Sequence, residues 1–265
     1  MKSFTRYFWI AYTAARANLA YALETSSRVV FLTVILYVFM RLWTVVYAGA
    51  SSDRLAGFTL PQMLWYLVVT ESVALSAPRI SGEVDQDVRT GRLAVQLIYP
   101  LSYAGAHLSR AMGMRMVRFA MNLCTGAAIA LFLVGPIPIS AKGFAMFLVV
   151  LPAAFLLDFL GNFLVGLCAF WLESTTGLAL LYMRMVQLLG GLLLPIDMYP
   201  AAVRPLLRVM PFASMIHAPG RMFVAPTARL FEESLLIQGV ALAMAIGVVA
   251  IVQSIALRRL FANGG

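Results

Sequence analysis

The sequence predicts an all-α protein that crosses a membrane several times. Of its 265 residues, 62% are hydrophobic and 12% are charged, and the mean hydropathy is +0.88. Soluble domains contain roughly 45–50% apolar and about 25% charged residues, so this composition indicates an integral membrane protein in a lipid bilayer. Six apolar runs follow one another, each near the ~20 residues that a helix needs to cross the hydrocarbon. We therefore expect one bundle of six spanning helices, a single domain over residues 1–265.

The first segment, residues 3–25, is predicted to be an amphipathic helix rather than a spanning one. Aromatic and aliphatic side chains recur at helical spacing, and Arg6, Arg16 and Asn18 interrupt them. Two arginines in the body of a spanning helix are costly, because the bilayer interior does not hydrate charge. We expect the segment to lie in the cytoplasmic interface with Trp9 at headgroup level, and a cap packed on the bundle is compatible with that position.

Six spanning helices are expected to follow, at residues 29–48, 60–77, 113–135, 143–171, 176–196 and 235–256. The fourth run is the longest, so we expect it to tilt or to break at Pro152, since proline removes a helical hydrogen bond. The fifth should end in a softened turn at Gly190 and Gly191, near the outer leaflet.

Lysine and arginine are placed so that both termini are predicted to be cytoplasmic. Basic residues collect on the cytoplasmic side of membrane proteins. The first two outer loops hold Arg54 and Lys142, whereas the segments predicted to lie inside hold Lys2, Arg6, Arg16, Arg28, Arg79, Arg89, Arg92, Arg110, Arg258 and Arg259. These cations lie at the ends of apolar runs rather than in a solvated patch. The net charge of +9 therefore does not indicate a nucleic-acid partner.

The most polar interval is the segment of residues 79–101, between the second and third spans. It concentrates charge that is sparse elsewhere in the chain, at Arg79, Glu83, Asp85, Asp87, Arg89 and Arg92. Charged side chains of both signs beside a bilayer are available to a soluble protein with a complementary surface. We therefore expect this cytoplasmic segment to dock a soluble partner subunit.

The outer segment of residues 195–233 is predicted to be an ordered lid. Its prolines permit only short helices between turns, and they are Pro195, Pro200, Pro205, Pro211 and Pro219. An apolar segment broken in this way indicates re-entrant helices that cap the bundle, and an amphipathic surface helix is the alternative. The segment also departs from the charge asymmetry, because this outer loop contains Arg204, Arg208, Arg221 and Arg229.

Three polar residues inside the spans are expected to have partners or a function. Glu71 lies within the second span, where a carboxylate is costly unless it faces a polar cavity or a partner. It is a candidate for a translocation pathway or for pairing with an arginine, and Arg41 in the first span is the natural partner for an acid of the bundle. Asp158 and Asn162 share a helix face and are expected to bond a neighbouring helix rather than a substrate.

The fifth span contributes Met183, Arg184 and Gln187. Arg184 lies in the inner half of this helix, from which its guanidinium can reach the interface. Methionine adapts to varied shapes, so Met183 and its neighbour Gln187 can line a permissive apolar pathway. Simple packing is the alternative for both.

The sequence contains no motif with which the chain could hydrolyse a nucleotide. A phosphate-binding loop needs a lysine after a glycine turn, whereas neither Lys2 nor Lys142 follows a glycine. Motifs of the GxSxG and HExxH kinds are also missing, so we expect no catalytic residue, metal or cofactor in this chain. A membrane-embedded enzyme that uses His107 or His217, and a non-transporting scaffold or channel, are the alternatives.

Two stretches of the chain resemble the ABC-2 type permeases. The stretch after the second span is similar to that family's E...GxL...L..PLS segment, through Glu83, Gly91-Arg92-Leu93, Leu97 and Pro100-Leu101-Ser102. The stretch before the last span is similar to its P...(F/Y)P...PF...P run, through Pro195, Tyr199-Pro200, Pro211-Phe212 and Pro219. With the helix number and the length of the chain, the resemblance covers nearly the whole sequence and is closest to bacterial half-size permeases.

The resemblance implies the membrane subunit of an ATP-binding cassette exporter in a bacterial inner membrane. Two permeases, alike or different, would work with two copies of a separate ATPase that binds ATP and Mg²⁺. The family's coupling helix would fall at residues 79–92, with docking residues Glu83, Asp85, Asp87, Arg89 and Arg92. Its outer gate would fall at residues 190–219, including Gly190, Gly191, Pro195, Pro200 and Pro211. Its pathway would include Glu71, Met183 and Gln187, and the apolar bundle favours a hydrophobic or amphiphilic cargo such as a drug, an antibiotic or a lipid.

Overall fold

Helices account for almost all of the regular structure. The computed structural model describes residues 2–20 and 22–262, with the side chains of residues 5–19 and 30–259. The described helices are α1 (Lys2–Ala20), α2 (Ala22–Ala48), α3 (Leu60–Ser76), α4 (Ile80–Arg89), α5 (Arg92–Ile98), α6 (Tyr103–Val134), α7 (Ala141–Leu167), α8 (Thr176–Leu189), α9 (Arg204–Val209), α10 (Pro211–Met215), α11 (His217–Val224) and α12 (Ala228–Ala262). Among the described residues, extended backbone pairs only in an isolated bridge between Leu55 and Phe58. The all-α prediction is confirmed. Lys2 and Arg28, which the charge analysis used, have side chains that are not among those described.

Among the described residues, four helical stretches are long and apolar enough to cross a membrane: Val30–Ala48, Tyr103–Val134, Ala141–Phe170 and Ala228–Arg259. Their outer faces are apolar, with side chains such as Phe132 and Val45 exposed. The two other predicted spans correspond to α3 and α8, which have 17 and 14 residues. Both fall short of the ~20 residues of a typical spanning helix. Four spans therefore have the required length, and the six-span count stays a prediction.

Helix α3 lies at the centre of the bundle. Its N-terminus carries a capping box, in which the Thr59 hydroxyl accepts from the Gln62 amide and the Gln62 side chain accepts from the Thr59 amide. The helix packs against α2, α6 and α11, and residues 63–73 are all buried. A helix that is enclosed on every side needs apolar residues around its whole circumference. This burial explains why the second run is almost continuously apolar.

Two helices differ from the predicted boundaries. Helix α7 continues through Pro152, so the predicted break does not occur there, and a 3₁₀ turn at Cys168–Phe170 follows it. It packs against α4, α11 and α12, and such neighbours allow an apolar helix to tolerate the hydrogen bond that proline removes. Helix α6 begins at Tyr103 rather than at residue 113, because the Ser102 side chain caps it by accepting from the Gly105 amide.

Helix α1 packs along the first half of α6. The Arg118 guanidinium donates to Asn18 Oδ1 at 2.9 Å. The two backbones approach so closely that a Cβ on Gly113 would collide with the carbonyl of Ala11. The aromatic residues on the outer face of α1 are exposed, namely Phe8, Trp9 and Tyr12. The predicted amphipathic helix is therefore present and packs as a cap on the bundle. It ends at Ala20, and Tyr21 lies outside the described residues. The position of this helix in the membrane interface stays a prediction.

We predict that Gly113→Leu separates α1 from α6, because the new side chain has no room beside the Ala11 carbonyl. In a cysteine-free background, a cross-link between cysteines placed at positions 18 and 118 should form at less than about half of its original yield. Gly247→Leu is the matched control, since a Cβ on Gly247 meets no atom within 4 Å. An unchanged yield in Gly113→Leu would contradict the close approach of these helices.

Candidate functional site

A cavity of about 1300 Å³ lies between α2, α3, α4, α6, α7 and α8. Its walls contain the three residues that the resemblance assigned to a pathway, which are Glu71, Met183 and Gln187. Phe31, Ile35 and Phe39 lie four residues apart on one face of α2 and form an apolar wall. The cavity also reaches Glu83 and Asp85 of the charged segment. One space therefore joins the predicted pathway to the predicted docking segment.

Glu71 is buried without a partner. It is 4% exposed and lines the cavity from α3. Among the described residues, no hydrogen bond or ion pair reaches its carboxylate. Arg41, the partner suggested by the sequence, instead donates to the hydroxyl of Tyr37 at 3.2 Å on the exposed face of α2. Of the two alternatives for Glu71, the arginine pair does not form within the part of the chain described here.

Asp158 is bound by Arg115 of α6, a residue that the sequence analysis did not single out. Arg115 Nη1 donates to Asp158 Oδ2 at 2.6 Å, and Asn162 donates to Asp158 Oδ1 at 3.0 Å. The guanidinium is 2% exposed, lies 4.2 Å from the centre of the Phe155 ring and reaches the Val73 carbonyl at 3.4 Å. The prediction that Asp158 bonds a neighbouring helix is confirmed. An arginine inside an apolar run requires such an acid, and this signal could have identified the pair.

Helix α8 forms the outer wall of the cavity. None of its described residues is fully buried. Arg184 Nη1 donates to Gln187 Oε1 at 3.0 Å, and Met183 beside them is exposed. The helix is held to α7 where the Tyr182 ring occupies the space that a Cβ would take on Gly161. The α8 wall of the cavity is therefore more exposed than the α3 wall, where Glu71 is 4% exposed.

Asp85 connects the charged segment to α8. Asp85 Oδ1 accepts from the Thr175 hydroxyl at 2.9 Å and from the Thr175 amide at 3.1 Å. Thr175 immediately precedes α8, and a carboxylate at a helix N-terminus is stabilised by unpaired amides and by the helix dipole. Burial alone would raise the pKa of Asp85, but the hydrogen bonds from Arg89 and Thr175 hold this pKa below its ordinary value. The ionised side chain therefore fixes α4 to the start of α8.

Asp87 lies in the interior rather than on the surface. It accepts from the Gln96 amide at 2.9 Å and from the Tyr103 hydroxyl at 3.2 Å. His107 Nε2 lies 3.2 Å from the same oxygen, and Arg92 Nε lies 3.4 Å from the other. Asp87 therefore joins α4, α5 and α6, and a partner protein could not contact it directly.

The other predicted docking residues differ in exposure. Glu83 is half-buried, with Oε2 at 3.7 Å from His107 Nδ1. Burial raises the pKa of Glu83 above its ordinary value, and the charge of Arg110 opposes this shift. Arg89 and Arg92 are exposed. Beside them the same surface carries exposed apolar side chains, at Val95, Ile98 and Tyr99. Docking itself stays a prediction.

The predicted gate lies at the outer end of α8. Gly190 ends the helix and Gly191 follows it with a φ of 76°, a backbone conformation that favours glycine. The Gly191 carbonyl accepts from the Tyr66 hydroxyl, and the Leu192 carbonyl accepts from the Thr70 hydroxyl at 3.3 Å. Both donors belong to α3, so the end of α8 is tied to the central helix.

The outer segment contains short helices, as its prolines predict. Pro195 precedes a 3₁₀ turn at Ile196–Met198, Pro200 follows that turn, and Pro211 begins α10. Helix α11 packs between α3 and α7, and Gly220 leaves no room for a Cβ against α3. The segment is therefore packed on the bundle, and its re-entry into the bilayer stays a prediction.

Asp197 explains why an outer segment carries several arginines. Arg208 Nη2 lies 2.8 Å from Asp197 Oδ1, and Arg221 Nε lies 3.6 Å from Oδ2. His217 Nε2 lies 3.7 Å from Oδ2, and its other ring nitrogen lies 3.1 Å from the Tyr66 hydroxyl. These basic groups are compensated within the segment, so they do not contradict an outer position. The sequence analysis did not identify Asp197.

The fold and the comparisons together define the class of the protein. An all-helical chain with apolar outer faces and several helices of spanning length is a multi-pass membrane protein. A family model described as ABC-2 family transporter protein matches residues 31–264, and the chain belongs to this family. It is thus a membrane permease of an ABC transporter; permeases of this family work with ABC ATPases and are in general not enzymes themselves. No curated protein matches the chain.

We predict that Asp158→Asn lowers the free energy of unfolding by about 3–5 kcal/mol, because it leaves the buried Arg115 without a counter-charge. The double variant Arg115→Met, Asp158→Leu should recover most of this loss, since it removes both charges. Reversible denaturation in mixed micelles measures the effect, with the exposed Glu232→Gln as control. A loss below about 1 kcal/mol in Asp158→Asn would show that the pair contributes no more than a surface ion pair.

Proposed function

We propose that the chain is the membrane-spanning subunit of an exporter that moves a hydrophobic or amphiphilic substrate outward, using ATP hydrolysed by a separate ATPase subunit. The observation that carries this proposal is one cavity whose wall includes Glu71 and Met183 together with Asp85 of the charged segment. A force applied to α4 would act directly on the space that holds the substrate. Two permeases, alike or different, would assemble with two ATPases, which supply the sites for ATP and Mg²⁺.

In this proposal the permease lies in a bacterial inner membrane with both termini in the cytoplasm. The ATPase then binds the exposed face of α4 and α5, where Arg89 and Arg92 are adjacent to Val95, Ile98 and Tyr99. Apolar side chains with arginines around them form a typical protein interface. Asp87 supports this face from inside, since it holds α4, α5 and α6 together.

The movement reaches the cavity through two contacts of α4. Val84 packs against Gly166 of α7, where a Cβ would collide with it. Asp85 holds the Thr175 hydroxyl at 2.9 Å at the start of α8. When the ATPases close on ATP, α4 is displaced and α8 moves with it, which shifts the population from an inward-facing to an outward-facing cavity.

The outer gate is formed where α8 meets the lid. Residues 190–219 connect α8 to α11, and they include Gly190, Gly191, Pro195, Pro200 and Pro211. Gly191 permits a sharp change of direction, and the prolines keep the following helices short. A displacement of α8 is thereby passed to short helices that can move as units above the cavity.

We predict that the double variant Arg89→Glu, Arg92→Glu weakens binding of the ATPase by about tenfold or more, because both charges on the docking face are reversed. Co-purification and a titration of ATPase binding to the permease in nanodiscs measure this. Arg54→Glu is the control, since Arg54 is an exposed arginine of the first outer loop. Undiminished binding together with full transport would exclude this face as the docking site.

We also predict that Thr175→Val uncouples transport from ATP hydrolysis. The variant removes the hydroxyl bond to Asp85 but leaves the Asp85–Arg89 ion pair, so docking should be preserved. We expect about fivefold less substrate moved per ATP hydrolysed, as the loss of one hydrogen bond to a charged group allows. Thr175→Ser keeps the hydroxyl and should retain the wild-type ratio. An unchanged ratio in Thr175→Val would show that the bond does not transmit the movement.

A further inference from the structure

We propose that the cavity binds an amphiphile with a positively charged group and that Glu71 is the counter-charge for this group. The inference rests on the proposed function and adds the charge of the substrate. It is carried by one juxtaposition: a buried carboxylate, for which no described residue is a partner, lies on the wall of a large cavity that is otherwise mainly apolar.

Glu71 contributes a buried carboxylate to the cavity wall. It is 4% exposed, and within the described chain no donor or cation reaches it. A carboxylate buried in this way is costly unless it gains a hydrogen bond or a charged partner. Glu71 lines the cavity, so a molecule bound there can supply that partner. A ligand with an ammonium or amidinium group would form the charge-assisted hydrogen bond that the described part of the protein does not provide.

The other charges on the cavity wall do not offer an equivalent site for an anion. Arg115 is bound to Asp158 at 2.6 Å, and Arg118 to Asn18 at 2.9 Å. Arg79 and Arg184 are exposed, and Arg184 is also bound to Gln187. Of the acids, Asp85 and Asp158 are engaged by donors of the protein, and Glu83 is only half-buried and lies 3.7 Å from His107. Among the described charges of this wall, the buried one without a partner is therefore negative, and it selects a cation.

The remaining walls fit the body of the ligand. Helix α2 contributes Phe31, Ile35 and Phe39 to the cavity, and α8 contributes Leu180 and Met183. Aromatic rings attract cations, and methionine accommodates varied apolar shapes. At about 1300 Å³ the cavity exceeds the range of roughly 300–1,000 Å³ that is usual for small-molecule pockets. The walls thus fit a bulky apolar body whose single positive charge lies at α3.

The test compares three fluorescent amphiphiles with one apolar body and a quaternary ammonium, a neutral amide or a carboxylate as head. Binding to the full permease–ATPase complex in nanodiscs is measured without nucleotide, and transport and ATPase stimulation are measured with ATP. We expect the wild-type complex to bind the cation about tenfold more tightly than the neutral compound. Glu71→Gln should abolish this preference and leave binding of the neutral compound unchanged.

Two further variants separate a local effect from misfolding. Glu71→Asp keeps the charge and should keep most of the preference for the cation. Glu232→Gln removes one exposed acid near the start of α12 and should leave the preference unchanged. If Glu71→Gln does not fold, the charge preference of the wild type and its retention in Glu71→Asp decide the question alone.

Several results would overturn the inference. Equal binding of the cation and the neutral compound by the wild type would do so, and so would an unchanged preference in Glu71→Gln. A cross-link from a cysteine at position 71 to the second permease would place a protein segment, not a ligand, against Glu71. In each of these cases, transport of the neutral compound would leave the proposed function intact. If none of the three compounds were transported or stimulated ATP hydrolysis, the result would count against the proposed function itself.

Discussion

Arg115 and Asp158 meet at 2.6 Å inside the bundle, and the positions of the surrounding helices depend on this ion pair. A charge in the bilayer interior is tolerated when another group replaces the water it has lost. The guanidinium therefore binds Asp158 on α7 and the Val73 carbonyl on α3 while it remains anchored on α6. Three helices are fixed relative to one another at a single point, and all three line the cavity.

Near both ends of the molecule, too, charged side chains are bound by groups of the protein that replace lost water. At one end Asp87 accepts from donors on α5 and α6, and Asp85 binds the start of α8. Within the lid Asp197 binds Arg208 and Arg221. Each acid joins separate elements, and the contact of Asp85 with Thr175 spans 90 residues of the chain. Between them Glu71 is a buried acid without such a donor among the described residues, and this difference marks the cavity as a place for something other than the chain itself.

Much of the fold was accessible from the sequence, because the signals that predict it are local. The periodicity of residues 3–25 predicted the cap formed by α1, and the proline spacing predicted the short outer helices. Other expectations were wrong where packing overrides a local preference. Pro152 does not break α7, since its neighbours hold the helix, and α6 starts early, since Ser102 caps it. Among the described residues Arg41 pairs with no acid, because it lies on the exposed face of α2, where it donates to the Tyr37 hydroxyl.

By itself the sequence determined that this is a helical membrane protein of the ABC-2 family, with a charged segment on one side and a proline-broken segment on the other. Hydropathy, charge and proline act over a few residues, so they can be read without a structure. The tertiary structure alone decided which charges are paired. Arg115 and Asp158 are 43 residues apart, and Asp85 and Thr175 are 90 apart. No local pattern specifies such contacts, because the burial that makes them necessary exists only once the helices have packed.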